Sequence, residues 1–291
     1  MNFGQLITAM VTPFDENLSI DWDATGRLID YLIEEQQSDA LVVSGTTGES
    51  PTLTDDEKIA LFRFAVKHAA GRCKIIAGTG SNDTAHSVHL TKAAEEAGVD
   101  GVLLVVPYYN KPSQEGLYRH FQTVAESTSL PVILYNVPSR TVTGLSAATT
   151  LRLAQIPNVV ATKECASLEQ MTEIIKDAPD GFVLYSGDDA LTLPCLAVGG
   201  QGIVSVASHV IGGRMKRMIE SFKAGRVSEA AQLNAECFPV FKGLFNCPHP
   251  VPNPVPVKYA LSLRGLSVGG VRLPLVEADE QEAAFIRKLL G

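Results

Sequence analysis

The chain has 291 residues, 45% of them hydrophobic and 19% charged, a balance that fills one large core and excludes a disordered or low-complexity protein. A net charge of −8 excludes a general nucleic-acid or anionic-membrane surface, so small anions must be met by specific arginines and lysines. No apolar run reaches the ~18 residues of a membrane span, and the opening MNFGQLITAMVTPFDE lacks the basic start and cleavage site of a secretory signal.

Short runs rich in Val, Ile and Leu recur along the chain: LITAMV (6–11), ALVVSG (40–45), KIIAGT (74–79), GVLLVVP (101–107), PVILYN (131–136), VVATKE (159–164), FVLYSG (182–187) and GIVSVA (202–207). Between them lie helix-period segments such as DATGRLIDYLIEEQ, TDDEKIALFRFAVKHAAG and TAHSVHLTKAAEEAG, several opening on Thr, Ser or Asp and closing at Gly. Eight such strand and helix pairs predict a (β/α)8 TIM barrel. An open doubly wound sheet shares this alternation, but it should carry a glycine fingerprint after its first strand, and neither GxGxxG nor GxxxxGK[ST] occurs. After the eighth strand come helical patterns in RMKRMIESFKAG, VSEAAQLNAECFPVFKGLF and DEQEAAFIRKLL, with a proline-rich bend PHPVPNPVPVKYAL before the last. The expected organisation is a barrel domain over 1–224 and a C-terminal helical extension over 225–291.

Cys73, Cys165, Cys195, Cys237 and Cys247 are odd in number and never spaced as CxxC, which fits free thiols in a reducing cytoplasm. The six histidines form no HExxH pattern. Neither a metal nor a nucleotide cofactor is expected.

In such a barrel the C-terminal strand ends share one mouth. GTTGES follows the second strand, PYYN the fourth and YNVPSR the fifth, while TKE ends the sixth and SGDD the seventh. Lys163, in line with a buried strand, is the candidate amine nucleophile for attack on a carbonyl. The plain alternative is a strand-end lysine snorkelling to water. Imine formation with a 2-oxo acid also needs a proton relay. Tyr135 can donate and accept, and Thr46 can link it to a second hydroxyl such as Tyr109; both tyrosines can equally be interior aromatics. Backbone amides of Gly45 to Thr47 can hold a keto acid's carboxylate, or mark a simple turn. Arg140 offers a rigid fork for the carboxylate of a second substrate, or a surface salt bridge. Asp188 and Asp189 read as helix caps and are left out of catalysis.

GTTGES, PYYNKPSQEG, YNVPSRT, the lysine of TKE, YSGDD, GIVSV and NPVPVK stand in the order seen in the dihydrodipicolinate synthase family of pyruvate-dependent class I aldolases, which the chain resembles over essentially its whole length. The resemblance implies a lyase in which Lys163 forms the pyruvate imine, Tyr135 is the general acid/base, and Thr46 with Tyr109 completes the relay. Thr47 and the backbone of Val204 would contact pyruvate, and Arg140 would receive the carboxylate of L-aspartate 4-semialdehyde, in the entry step to diaminopimelate and lysine. It also implies a homotetramer of two tight dimers, with Tyr109 lent to the neighbouring site. Ala161, Thr162 and Cys165 depart from the family's usual residues around the nucleophile, and Val142 from the glycine or alanine common after PSRT. Strand alternation turns Thr162 away from Lys163 and leaves the chemistry intact. Asp55, Lys58 and His86 stand where lysine-inhibited members carry two histidines and an acid, although Asn82 and Tyr108 remain, so little or no lysine inhibition is expected. Two rivals stay open: an aldolase of the same superfamily acting on a sugar acid such as N-acetylneuraminate or a 2-keto-3-deoxy acid, and a non-catalytic keto-acid sensor.

Overall fold

The computed structural model describes residues 3–291. Eight parallel strands, β1 (Leu6–Ala9), β2 (Ala40–Val43), β3 (Lys74–Gly78), β4 (Gly101–Val105), β5 (Val132–Asn136), β6 (Val159–Glu164), β7 (Val183–Ser186) and β8 (Gly202–Ser205), close in sequence order, with β1 pairing both β2 and β8. Helices lie between them: α1 (Trp22–Glu34), α2 (Asp55–Ala69), α3 (Thr84–Glu96), α4 (Gln114–Ala125), α5 (Pro138–Thr141), α6 (Ala147–Leu153), α7 (Leu168–Asp177) and α8 (Thr192–Ala197). After β8 come α9 (Ser208–Lys223), α10 (Val227–Gly243), α11 (Val255–Leu263) and α12 (Glu280–Leu290). The expected barrel with a C-terminal helical part is the fold. No helix among the described residues is long and apolar enough to cross a membrane.

Alternation builds two cores. Along β2, Ala40 and Val42 join a cluster with Ile7, Ile76, Ile133, Tyr185 and Val204 inside the barrel, whereas Leu41 and Val43 pack outward beneath the helices. Strands buried on both faces therefore read as continuous apolar runs. Helices α1, α2, α3, α4, α6, α7 and α12 start at side-chain caps, including a reciprocal Thr54 and Glu57 box on α2 and an Asp279 and Glu282 box on α12.

Two expectations are corrected. Most strands stop short of the apolar runs; β1 ends at Ala9 and β2 at Val43. The residues beyond them keep at most an isolated ladder bond, such as Met10 N to Val42 O at 3.0 Å, before the chain turns into the loops of the mouth. The supposed proline-rich bend is helical over Val255–Leu263, because Pro256 falls in the first turn of α11, where a missing N–H leaves no helical bond unmade.

Candidate active site

Lys163 and Tyr135 face each other across the β5 and β6 ladder. A register shift at Val132/Ile133 sets Ile133 against Ala161 and Tyr135 against Lys163, so the inward positions of both strands coincide towards the mouth. Lys163 is 6% exposed and its Nζ lies 4.1 Å from the centroid of the Tyr135 ring. Thr162 points outward, as strand alternation requires, and is fully buried behind the barrel wall. Gly187, directly after β7, continues the ladder by donating its N–H to Glu164 O at 2.8 Å. Its lack of a side chain leaves room for the Lys163 stem: a Cβ there would lie 2.9 Å from Cε and 3.1 Å from Cγ of Lys163 and would overlap Cys165 Sγ. Burial pushes the Cys165 thiol up to about 11, so the cysteine beside the lysine is a neutral packing group.

A cleft of about 530 Å³ opens beside Tyr135 and is lined also by Gly45, Thr46, Arg140, Tyr108 and Lys58. Lys163 lies outside this lining and meets Tyr135 from the β6 side. Thr46 and Tyr135 both border the cleft, and no hydrogen bond joins them among the described residues. Arg140 stands on α5 with its side chain exposed and forms no ion pair among the described residues, which leaves its guanidinium available to a ligand. Asp55 and His86 pair across the cleft wall at 2.9 Å.

The remaining candidates are more dispersed. Thr47 is buried and accepts a hydrogen bond from Asn253 Nδ2 at 2.9 Å. Val204 lies within the barrel on β8. Tyr109 is 89% exposed with φ +74°, so within one chain it does not reach Thr46 or Tyr135; Tyr108 lines the cleft instead. Of the two aspartates read as caps, Asp188 caps the helical turn that follows it and Asp189 does not. Asp188 accepts from Ala190 N at 2.9 Å, and buried Asp189 accepts from Val206 N and Ala207 N, just ahead of α9. Burial raises the Asp189 carboxyl to about 6.

Sequence reasoning missed the groups that hold the GTTGES loop. Glu49, in the left-handed region at φ +57°, is 2% exposed and pairs with Lys258 at 2.7 Å, while accepting from Arg272 N at 2.9 Å. Desolvation lowers Lys258 to about 8, against the opposing pull of Glu49. Lys258 also donates to Gly270 O at 2.6 Å. The C-terminal segment from Asn253 to Arg272 thus ties down both ends of Thr47–Glu49. The available signal was the polar pair Asn253 and Lys258 framing an otherwise apolar NPVPVK.

A model of the dihydrodipicolinate synthetase family matches residues 2–291. The chain is 58% identical to 4-hydroxy-tetrahydrodipicolinate synthase of Bacillus subtilis, over 97% of this chain and 96% of that protein. It is 56% identical to the Bacillus velezensis enzyme of the same name, over 100% and 99%. Among solved structures, dihydrodipicolinate synthase DapA-2 of Bacillus anthracis superposes with a TM-score of 0.96 at 52% identity, covering 100% of this chain and 98% of that one. Matched from end to end in sequence and in fold, the chain belongs to the dihydrodipicolinate synthetase family.

Proposed function

We infer that this chain acts as a 4-hydroxy-tetrahydrodipicolinate synthase, a lyase that condenses pyruvate with L-aspartate 4-semialdehyde in diaminopimelate and lysine biosynthesis. The observation that carries this reading is the buried Lys163 held in register against Tyr135, with the unpaired Arg140 on the rim of the adjoining cleft. The Lys163 amine attacks the keto carbon of pyruvate, and water leaves to give the imine. Tyr135 protonates the departing hydroxyl, and removal of a methyl proton then yields the enamine. The enamine carbon attacks the aldehyde, the substrate amine displaces Lys163 on cyclisation, and the free lysine returns. Thr46 and Tyr109 extend the proton path. Gly45, Thr47 and the Val204 backbone hold pyruvate, and Arg140 takes the semialdehyde carboxylate through paired hydrogen bonds.

The exposure of Tyr109 supports its donation to a neighbouring subunit in a homotetramer of two tight dimers. The division into a barrel over 1–224 and a helical extension over 225–291 follows the break between α9 and α10, the extension serving as the brace of the pyruvate loop. Five unpaired cysteines support a cytoplasmic setting. Lys58, whose ammonium borders the cleft, supports weak inhibition by lysine, since like charges repel there. The test is pyruvate-dependent consumption of L-aspartate 4-semialdehyde through a coupled reductase. Turnover lost in Lys163→Ala is expected; a folded but inactive native protein overturns the reading.

A further inference from the structure

Directly behind the reacting pair lies a carboxylate that the mechanism does not use. Glu164 follows Lys163 and is fully buried, facing out of the barrel where Lys163 faces in. It forms no ion pair among the described residues. Its partners are neutral: Oε1 accepts from Ala166 N at 2.8 Å and Asn136 Nδ2 at 3.0 Å, and Oε2 from Gln170 Nε2 at 3.0 Å and Asn136 Nδ2 at 3.1 Å. Asn136 follows Tyr135 in the same relation and is likewise fully buried. Its amide spans the backbone of Leu145, giving Nδ2 to the carbonyl at 3.1 Å and taking the N–H at 2.9 Å on Oδ1, and Gln170 adds a bond to the same carbonyl at 2.9 Å. Gly144 allows this approach, because a Cβ there would stand 2.8 Å from Asn136 Oδ1.

The network therefore joins the ends of β5 and β6, helix α7 and the segment that leaves α5, the element bearing Arg140. Isolating a carboxylate from water and from cations is unfavourable, and apolar groups would fill the same space without that cost. Burial accordingly raises the Glu164 carboxyl above its ordinary range, opposed by the donors. What an apolar filling would lack is direction: a two-oxygen acceptor fixes three donors in angle as well as distance.

We propose that Glu164 and Asn136 are positioning residues for the aldol reaction, locking the ends of β5 and β6 so that Lys163 and Tyr135 keep their mutual geometry and the Arg140 turn keeps its place relative to both. This rests on Lys163 and Tyr135 being the reacting pair, a point that loss of turnover in Lys163→Ala checks separately. The clamp is tested with Glu164→Gln, which keeps the volume but turns an NH2 towards N–H donors, and with Gln170→Ala, which removes one donor from the partly exposed α7.

For Glu164→Gln, kcat and the rate of borohydride trapping of pyruvate should fall together by roughly tenfold or more, with KM for pyruvate little changed, because geometry rather than ground-state binding is lost. Gln170→Ala should lower kcat by a few-fold at an unchanged melting temperature. The proposal is overturned if folded Glu164→Gln turns over and traps pyruvate at native rates, or if its loss disappears once activity is expressed per folded molecule. Where Glu164→Gln does not fold, Gln170→Ala decides alone, and native kcat in that variant overturns the clamp.

Discussion

Gly187→Ala probes how closely Lys163 is confined. The added Cβ would sit 2.9 Å from Lys163 Cε and 3.1 Å from Cγ, and would overlap Cys165 Sγ. Unstrained carbon contacts need about 3.5 to 4.0 Å, so the lysine stem must retreat by roughly 0.5 to 1 Å. Cγ lies midway along the stem and cannot withdraw without carrying Nζ away from the Tyr135 ring. Overpacking of this size costs about 1 to 3 kcal/mol, which a domain of ordinary stability survives. A misplacement approaching 1 Å at the reacting atom costs on the order of 10²-fold in rate, about 2.7 kcal/mol in barrel-mouth geometry alone. We therefore expect kcat/KM to fall roughly a hundredfold in the coupled assay while the melting temperature drops only a few degrees. Adding Cys165→Ala removes the sulfur overlap and should return stability but little activity. Native turnover in Gly187→Ala, or full recovery of activity in the double variant, would refute the argument that Gly187 confines the Lys163 stem.

Three further outcomes follow from the geometry. Arg140→Ala should raise KM for L-aspartate 4-semialdehyde strongly and leave pyruvate trapping intact; a variant that loses both has damaged more than the second-substrate contact. Lys258→Met strands Glu49 in the interior and should destabilise the protein by about 3 to 5 kcal/mol, measured by urea unfolding, with Glu49→Gln added to it restoring part of the loss. His209 sets an acid limit to stability. Its Nε2 accepts from Val11 N at 3.2 Å and its Nδ1 donates to Val206 O at 2.8 Å, and burial lowers its pKa to about 4. A histidine neutral in the fold and titrating near ~6.5 when unfolded contributes stability that is complete above ~6.5 and lost as pH falls through about 4, roughly 3 kcal/mol in all. His209→Gln should flatten the fall in melting temperature between those values; an unchanged slope contradicts the assignment.

The barrel was legible because the strands are buried on both faces and most of the intervening helices carry caps, so both periods stand in the local sequence. Lys163 and Tyr135 stood out as polar residues near the ends of apolar strands, and Thr46 and Arg140 as polar residues in the segments that follow β2 and β5, where a packed wall alone would not call for them. The register shift at Val132/Ile133 was not, since a shifted ladder leaves no mark in the apolar pattern. The Glu49 and Lys258 pair was missed because it joins residues more than two hundred positions apart, and α11 was hidden by prolines that suit a helix only in its first turn. Tyr109 was grouped with the hydroxyl relay on sequence grounds, yet within one chain it stands exposed, because the left-handed turn after β4 carries it outward while Tyr108 lines the cleft.

The central claim is that Lys163 is the carbon-bond-forming amine. Borohydride reduction in the presence of pyruvate, followed by peptide mass mapping, tests it directly. A reduced pyruvyl adduct on Lys163, with parallel loss of turnover, is the expected result; an inactivated enzyme carrying the adduct on another lysine, or turnover that survives while Lys163 stays unmodified, would contradict it.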